Sequence, residues 1–92
     1  MTQEFNSIWT AIEDNAVLAE NLRLRAQLMI EISDYFKQSG LTQAKAATKL
    51  STTQPKLNDV LSGRIEKCTL DRLVNMLALA GFRISMQIDH VA

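Results

Sequence analysis

The chain has 92 residues, 47% of them apolar, with three glycines, one proline and no low-complexity tract, which argues against global disorder and allows one domain with a modest core. Its formal net charge is zero, but residues 1–20 carry four acidic and no basic side chains, whereas residues 37–67 carry six basic and two acidic ones, a net charge of +4. No apolar run approaches the roughly 18 residues of a membrane span. The first residues lack the features of a signal peptide, and the single Cys68 fits a reducing compartment. We therefore expect a cytoplasmic protein.

The first forty residues predict two helices. Apolar side chains recur at three- and four-residue spacing in a short stripe and then in a longer one: Phe5, Ile8, Trp9 and Ile12, followed by Leu18, Leu22, Met29, Ile32 and Phe36. Because the polar pair Asp14 and Asn15 separates the stripes, we predict that a first helix ends there. Gly40 is expected to end the second helix, since glycine accepts a left-handed backbone.

Residues 42–64 predict two short helices around a tight turn. Thr42 and Thr53 are suitable N-cap residues, and Pro55 falls in a first turn, where its missing amide hydrogen costs little. Gly63 is expected to end the second helix. The inward faces are Ala46, Ala47, Leu50, Leu57, Val60 and Leu61. This is the pattern of a helix-turn-helix, whose second helix enters the major groove of DNA.

A last helix and a strand are predicted downstream. The helix is capped by Thr69 and ends at Gly81, with an inner face of Leu70, Leu73, Val74, Leu77 and Ala80. The period then changes to two, because Phe82, Ile84, Met86 and Ile88 alternate with polar residues. An unpaired strand edge is a liability, so we expect these four residues to form a homodimer interface with the same strand of a second copy. The alternative is that the strand packs on the helices of its own subunit.

Several segments resemble the XRE (lambda-repressor-like) family. They are LTQA at residues 41–44, TQPKL at 53–57, LSGR at 61–64 and LDRLVNML at 70–77. Residues 8–14 and 21–26 also resemble small HigA-like antitoxins within that family, so the resemblance covers nearly the whole chain. It implies a DNA-binding transcriptional regulator that represses its own promoter. It also implies that the protein is the antitoxin of a type II toxin-antitoxin pair, with a RelE/HigB-like toxin as its partner.

Together these observations predict a mainly α fold. We expect a single five-helix lambda-repressor-like domain over residues 1–92, with one C-terminal β-strand that pairs across a homodimer. Its parts are N-terminal helices at 1–40, the helix-turn-helix at 41–64, a C-terminal helix at 65–81 and a dimerisation strand at 82–89.

The turn of the helix-turn-helix departs from the family pattern. Ser51 occupies a position that is commonly glycine, and Thr52 one that is commonly valine. Because serine enters the left-handed region only at a cost, we expect a turn that is either strained or differently shaped.

The candidate DNA contacts divide into two sets. Residues expected to reach base edges are Gln54, Pro55, Lys56 and Asn58, and residues expected to reach phosphates are Thr42, Gln43, Lys45, Thr53, Ser62 and Arg64. Gln54 is the strongest candidate for a base contact, because its amide can form paired hydrogen bonds with adenine. The role of Asp59 stays open among three alternatives: its carboxylate accepts a hydrogen bond from a cytosine amine, pairs with a neighbouring basic residue, or faces away from the DNA.

The N-terminal stripe allows two interpretations. Phe5, Ile8, Trp9 and Ile12 either pack on the domain's own core, which we favour, or bind a partner; an acidic segment with an aromatic anchor would suit a basic toxin.

The sequence favours a non-enzymatic protein. His90 is the only histidine and Cys68 has no nearby base, so we expect neither catalysis nor a metal or other cofactor. Three functions remain open: an antitoxin that binds an inverted-repeat operator in double-stranded DNA, a stand-alone repressor, and a protein-interaction module that does not bind DNA.

Overall fold

We describe a computed structural model that covers the backbone of residues 2–91 and the side chains of residues 15–91. In that part of the chain there are four α-helices: α1 (Thr2–Ser39), α2 (Gln43–Lys49), α3 (Gln54–Leu61) and α4 (Leu70–Leu79). A 3₁₀ turn, Ile65–Lys67, joins α3 to α4. None of these helices is long and apolar enough to cross a membrane.

The predicted break near Asp14 and Asn15 is wrong, and with it the count of five α-helices. One helix runs through both residues, because residues 2–39 contain no glycine or proline that would end it. The sequence suggested two helices because a polar pair separates its apolar stripes, and the structure shows that these stripes are also out of phase along one helix. At about 100° per residue, positions 5, 8, 9 and 12 lie about a third of a turn from the stripe that contains Met29 and Ile32.

The core is built where the second half of α1 crosses α3 and α4. Eleven buried side chains form it: Met29, Ile32, Ala46, Ala47, Leu50, Leu57, Val60, Cys68, Leu73, Met76 and Leu77. The inward faces predicted for α2 and α3 are confirmed, with Leu61 half-buried against the others. Val74 is an exception, since it lies at the edge of the buried stripe of α4 and is 42% exposed.

The first half of α1 projects beyond the other helices. The domain is 58 Å long, about the length of a 38-residue helix at 1.5 Å per residue. Leu18, predicted to lie on the core-facing stripe, is consequently 51% exposed, and Val17 beside it is 71% exposed. The helix ends as predicted, at Gly40, which has a positive φ of 70°.

The turn between α2 and α3 keeps the conformation that a glycine would adopt. Ser51 has a φ of 51° and is the only non-glycine residue with a positive φ among those described. The amide of Thr52 donates to the carbonyl of Ala47 at 2.9 Å, which closes the turn. The turn is therefore strained rather than differently shaped, and its helix-turn-helix geometry is preserved.

Replacing Ser51 by glycine should relieve this strain. A left-handed conformation costs an L-residue roughly 1–2 kcal/mol, whereas the extra flexibility of glycine in the unfolded chain costs about 0.5–1 kcal/mol. We therefore expect Ser51→Gly to raise the free energy of unfolding by about 0.5–1 kcal/mol in urea denaturation. Thr48→Gly, inside α2, is the matched control and should lower it. Stabilisation by neither variant would show that the turn carries no strain.

The C-terminal segment forms no strand within the described chain. Residues 82–91 have no regular secondary structure and form no ladder of hydrogen bonds with a second strand. The segment is attached at its start, where the amide of Phe82 donates to the carbonyl of Leu77 at 2.9 Å. The Phe82 ring meets the Tyr35 ring edge-on, with their centroids 6.1 Å apart. The strand expected at 82–89 is therefore absent from the single chain.

Candidate nucleic-acid interface

The N-terminus of α2 presents three of the predicted phosphate contacts. Thr42 caps the helix, since its hydroxyl accepts a hydrogen bond from the amide of Lys45 at 3.2 Å. Thr42 and Lys45 are exposed, and Gln43 is half-buried at the first helical position. The predicted cap is confirmed, and it fixes these side chains at one end of the helix-turn-helix.

The start of α3 is fixed in the same way. The hydroxyl of Thr53 accepts from the amide of Lys56 at 3.3 Å, and Pro55 occupies the first turn. Leu57 and Val60 are buried and hold the helix against the core. As a result, Gln54, Pro55 and Lys56 are exposed.

The four predicted base contacts do not share one face of α3. Gln54 and Asn58 are one turn apart, so they lie on neighbouring parts of the surface. Lys56 lies about 200° around the helix from Gln54, on the opposite flank. It lines a groove beside α4.

Asn58 is tied to one of the predicted phosphate contacts. The hydroxyl of Ser62 donates to Asn58 Oδ1 at 3.4 Å, one helical turn later. The distance is long for a hydrogen bond between two oxygen atoms, so the contact holds Asn58 only weakly. Asn58 itself is half-buried, whereas Ser62 is exposed.

The structure resolves the open question of Asp59, which pairs with a neighbouring basic residue. Its Oδ1 lies 3.3 Å from Arg64 Nη1, and its side chain is only 18% exposed, compared with 52% for Arg64. The backbone repeats the contact, because the amide of Arg64 donates to the carbonyl of Asp59 at 2.9 Å. The negative charge of Asp59 is therefore offset within the protein, and Arg64 is held at the C-terminal end of α3.

A groove of about 830 Å³ lies between the turn, the start of α3 and one side of α4; we name it the α3–α4 groove. Its polar lining includes Thr52, Thr53, Lys56, Thr69, Arg72 and Asn75, and among the described residues that line it none is acidic. The amide of Arg72 donates to the hydroxyl of Thr69, which caps α4 as predicted.

Sequence reasoning missed the contribution of Thr69, Arg72 and Asn75 to this surface. The one signal available was their position on the outer side of a helix whose Leu73, Met76 and Leu77 are buried. Nothing in the sequence indicated that this side faces Lys56.

Arg25 links α1 to the segment that follows α3. Its Nη1 donates to the carbonyl of Ile65 at 3.3 Å, and its Nε donates to Asn21. Arg25 is not part of the apolar stripe predicted for this helix, and its contact forty residues away could not be predicted from the local pattern.

Cys68 is poorly suited to nucleophilic chemistry. Its side chain is buried, and its Sγ donates to the carbonyl of Arg64 at 3.4 Å. Burial raises the pKa of the Cys68 thiol, and the neighbouring charge of Asp59 raises it further. In the part of the chain that the structure describes, no group of three His, Cys, Asp or Glu side chains could hold a metal ion.

The other predicted sites lie at the two ends of the chain. The side chains of Phe5, Ile8, Trp9 and Ile12 fall outside those that the structure describes. The predicted dimer residues Phe82, Ile84, Met86 and Ile88 are all exposed on the C-terminal segment.

Comparison with known families agrees with this geometry. The model of a family described as a helix-turn-helix domain matches residues 11–89, most of the chain. No curated protein matches the chain. The matched residues include both capped helices, the turn at Ser51 and α4. The chain therefore belongs to this helix-turn-helix domain family, in agreement with the resemblance to XRE proteins.

Proposed function

We propose that this protein is a sequence-specific DNA-binding transcriptional regulator that places α3 in the major groove. The observation that carries the proposal is the division of α3 into a buried and an exposed face. Leu57 and Val60 fix the helix to the core, while Gln54 and Asn58 stand one turn apart on its outside. These are the side-chain types that read adenine in the major groove.

The ends of the helix-turn-helix would position the protein on the DNA backbone. Thr42, Gln43 and Lys45 supply donors at the start of α2, and Arg64 supplies them after α3. The Ser62 hydroxyl already donates to Asn58 and would have to turn away from it to reach a phosphate. Arg64 keeps free guanidinium donors, because its pair with Asp59 uses only one nitrogen. Such contacts set register and affinity but carry no sequence information directly.

A dimer is the simplest way to obtain specificity. The protein has no net charge, so one copy should bind DNA weakly. The C-terminal segment at 82–89 exposes alternating apolar side chains and lacks a strand partner within its own described chain. Antiparallel pairing with a second copy about a two-fold axis would present two α3 helices to an inverted repeat. On its own promoter, such a dimer would repress transcription by occluding polymerase.

Ile84→Asp tests this pairing. A carboxylate placed in an apolar strand interface would have to be desolvated, so we expect the dimer to dissociate at concentrations at which the wild type is dimeric. Sedimentation equilibrium measures the effect. Ser85→Asp, on the alternate face of the same segment, is the matched control and should leave the dimer intact. Equal dimer stability in both variants would contradict the pairing.

A second candidate function is that of an antitoxin, and the projecting half of α1 favours it. Val17 and Leu18 are exposed there, within residues 1–20, which carry four acidic side chains. One of these, Glu20, forms a salt bridge with Arg23, with 2.7 Å between Oε1 and Nη2. This surface is separate from α3, so a basic toxin of the RelE/HigB-like kind and DNA could be bound together. Co-expression with the product of the adjacent gene tests this idea, and failure to co-purify or to rescue growth would remove it.

A salt titration of DNA binding tests the regulator against a protein-interaction module. We expect promoter DNA to be bound more tightly than a scrambled duplex at every KCl concentration, with both affinities falling as salt rises. Equal, weak binding to the two duplexes would exclude a sequence-specific regulator. Such a regulator acts where chromosomal DNA is, in agreement with the cytoplasmic location expected from the sequence.

A further inference from the structure

We propose that the α3–α4 groove binds the DNA backbone, with Arg72 and Lys56 as its phosphate-binding residues. This inference rests on the proposed function and adds a binding residue, Arg72, to it. A recognition helix in the major groove lies between two sugar-phosphate backbones. The donors at the start of α2 and Arg64 lie at the two ends of the motif, whereas Lys56 and Arg72 line the flank of α3 opposite Gln54, where a backbone beside the helix would pass.

The position of Lys56 identifies that flank. Gln54 and Lys56 lie on opposite sides of the buried stripe of α3, and Lys56 lines the groove beside α4. A long, exposed ammonium at this position is too far around the helix to share the base-facing surface of Gln54 and Asn58. The ammonium of Lys56 is instead well placed to contact a DNA backbone that passes along the side of α3.

The second cation in the groove comes from α4. Arg72 is half-buried, and its Nη1 donates to the carbonyl of Lys67 at 3.3 Å, which restricts the guanidinium while leaving further donors free. An arginine side chain that is already restricted by a hydrogen bond loses less conformational entropy on binding a phosphate than a mobile one does.

The rest of the groove suits an anion in the same way. Thr52 and Asn75 add neutral polar groups, and among the described lining residues no carboxylate opposes the two cations. The amides of Lys56 and Arg72 are already bonded to the hydroxyls of Thr53 and Thr69. The affinity of the groove for phosphate must therefore come from side chains, so substitution of those side chains can test it.

The experiment is a KCl titration of binding to the duplex that the wild type prefers, followed by fluorescence anisotropy. We expect Arg72→Gln and Lys56→Gln each to reduce the slope of log K against log salt by about 0.9 for each protomer bound. Between 50 and 200 mM salt, each variant should then lose roughly 3.5-fold less affinity per protomer than the wild type. Preference among base pairs should not change, and Arg72→Lys should restore most of the slope.

Lys37→Gln is the charge-matched control, because Lys37 lies on α1, away from the α3–α4 groove. An Arg72→Gln slope equal to that of Lys37→Gln would overturn the proposal. A second result would also overturn it. If inorganic phosphate without DNA shifts the NMR signals of groove residues while Arg72→Gln leaves the slope for DNA unchanged, the groove binds small anions and not the DNA backbone.

The failure of the proposed function gives a different result. In that case the wild type itself would show no preference between duplexes, and the proposal for the groove would fall with it. If Arg72→Gln does not fold, Lys56→Gln decides the outcome, because its exposed side chain makes no hydrogen bond within the described part of the chain.

Discussion

Leu57→Ala should lower the free energy of unfolding by about 2–5 kcal/mol, the range for large-to-small substitutions in well-packed cores. Leu57 is completely buried and lies in the middle of α3, which packs against α1 and α2. A domain of this size has a total stability of only about 5–14 kcal/mol, so the variant loses a large part of it. Urea denaturation monitored by circular dichroism measures the change.

The same substitution should also weaken DNA binding. Leu57 and Val60 hold α3 in the orientation that exposes Gln54, so a cavity beneath the helix loosens the surface that reads DNA. Val74→Ala is the control, because it removes a comparable apolar side chain that is 42% exposed, and it should cost less than about 1 kcal/mol. A loss below 1 kcal/mol for Leu57→Ala would show that α3 does not rest on this core.

Gln54→Ala should weaken binding to the preferred duplex by about 1–3 kcal/mol, which is roughly 5- to 150-fold. The reason is the loss of a paired hydrogen bond to one base, so discrimination should be lost at one position of each half-site and kept elsewhere. Because Gln54 is exposed, the stability of the folded protein should not change.

Fluorescence anisotropy with a set of single-base variants of the duplex measures this effect. Gln27→Ala, which removes an exposed glutamine from α1, is the matched control and should bind every duplex like the wild type. Full discrimination by the Gln54→Ala variant would mean that another residue reads the site.

The features predicted correctly from the sequence are local ones. Thr42, Thr53 and Thr69 cap their helices because the hydroxyl and the amide that it binds are only three residues apart. Ser51 could be identified from the sequence as the unusual position of the turn, but only the backbone, with a φ of 51°, decides between a strained turn and a differently shaped one. Such features determine the helix-turn-helix and hence the family.

The features missed depend on residues that are distant or absent. The polar pair Asp14 and Asn15 between two apolar stripes suggested a break, but no glycine or proline lies there and α1 runs through both residues. The period-two pattern at 82–89 predicted a strand, but this segment pairs with no second strand within the described chain. The α3–α4 groove brings together Lys56 and Arg72, sixteen positions apart, which no local pattern predicts.

Selection of duplexes from a random pool by the wild-type protein tests the central claim most directly. The expected result is an inverted repeat whose two half-sites are about 10 bp apart from centre to centre, as a two-fold dimer with one α3 in each major groove requires. Recovery of duplexes that share no sequence would contradict the claim that α3 reads DNA.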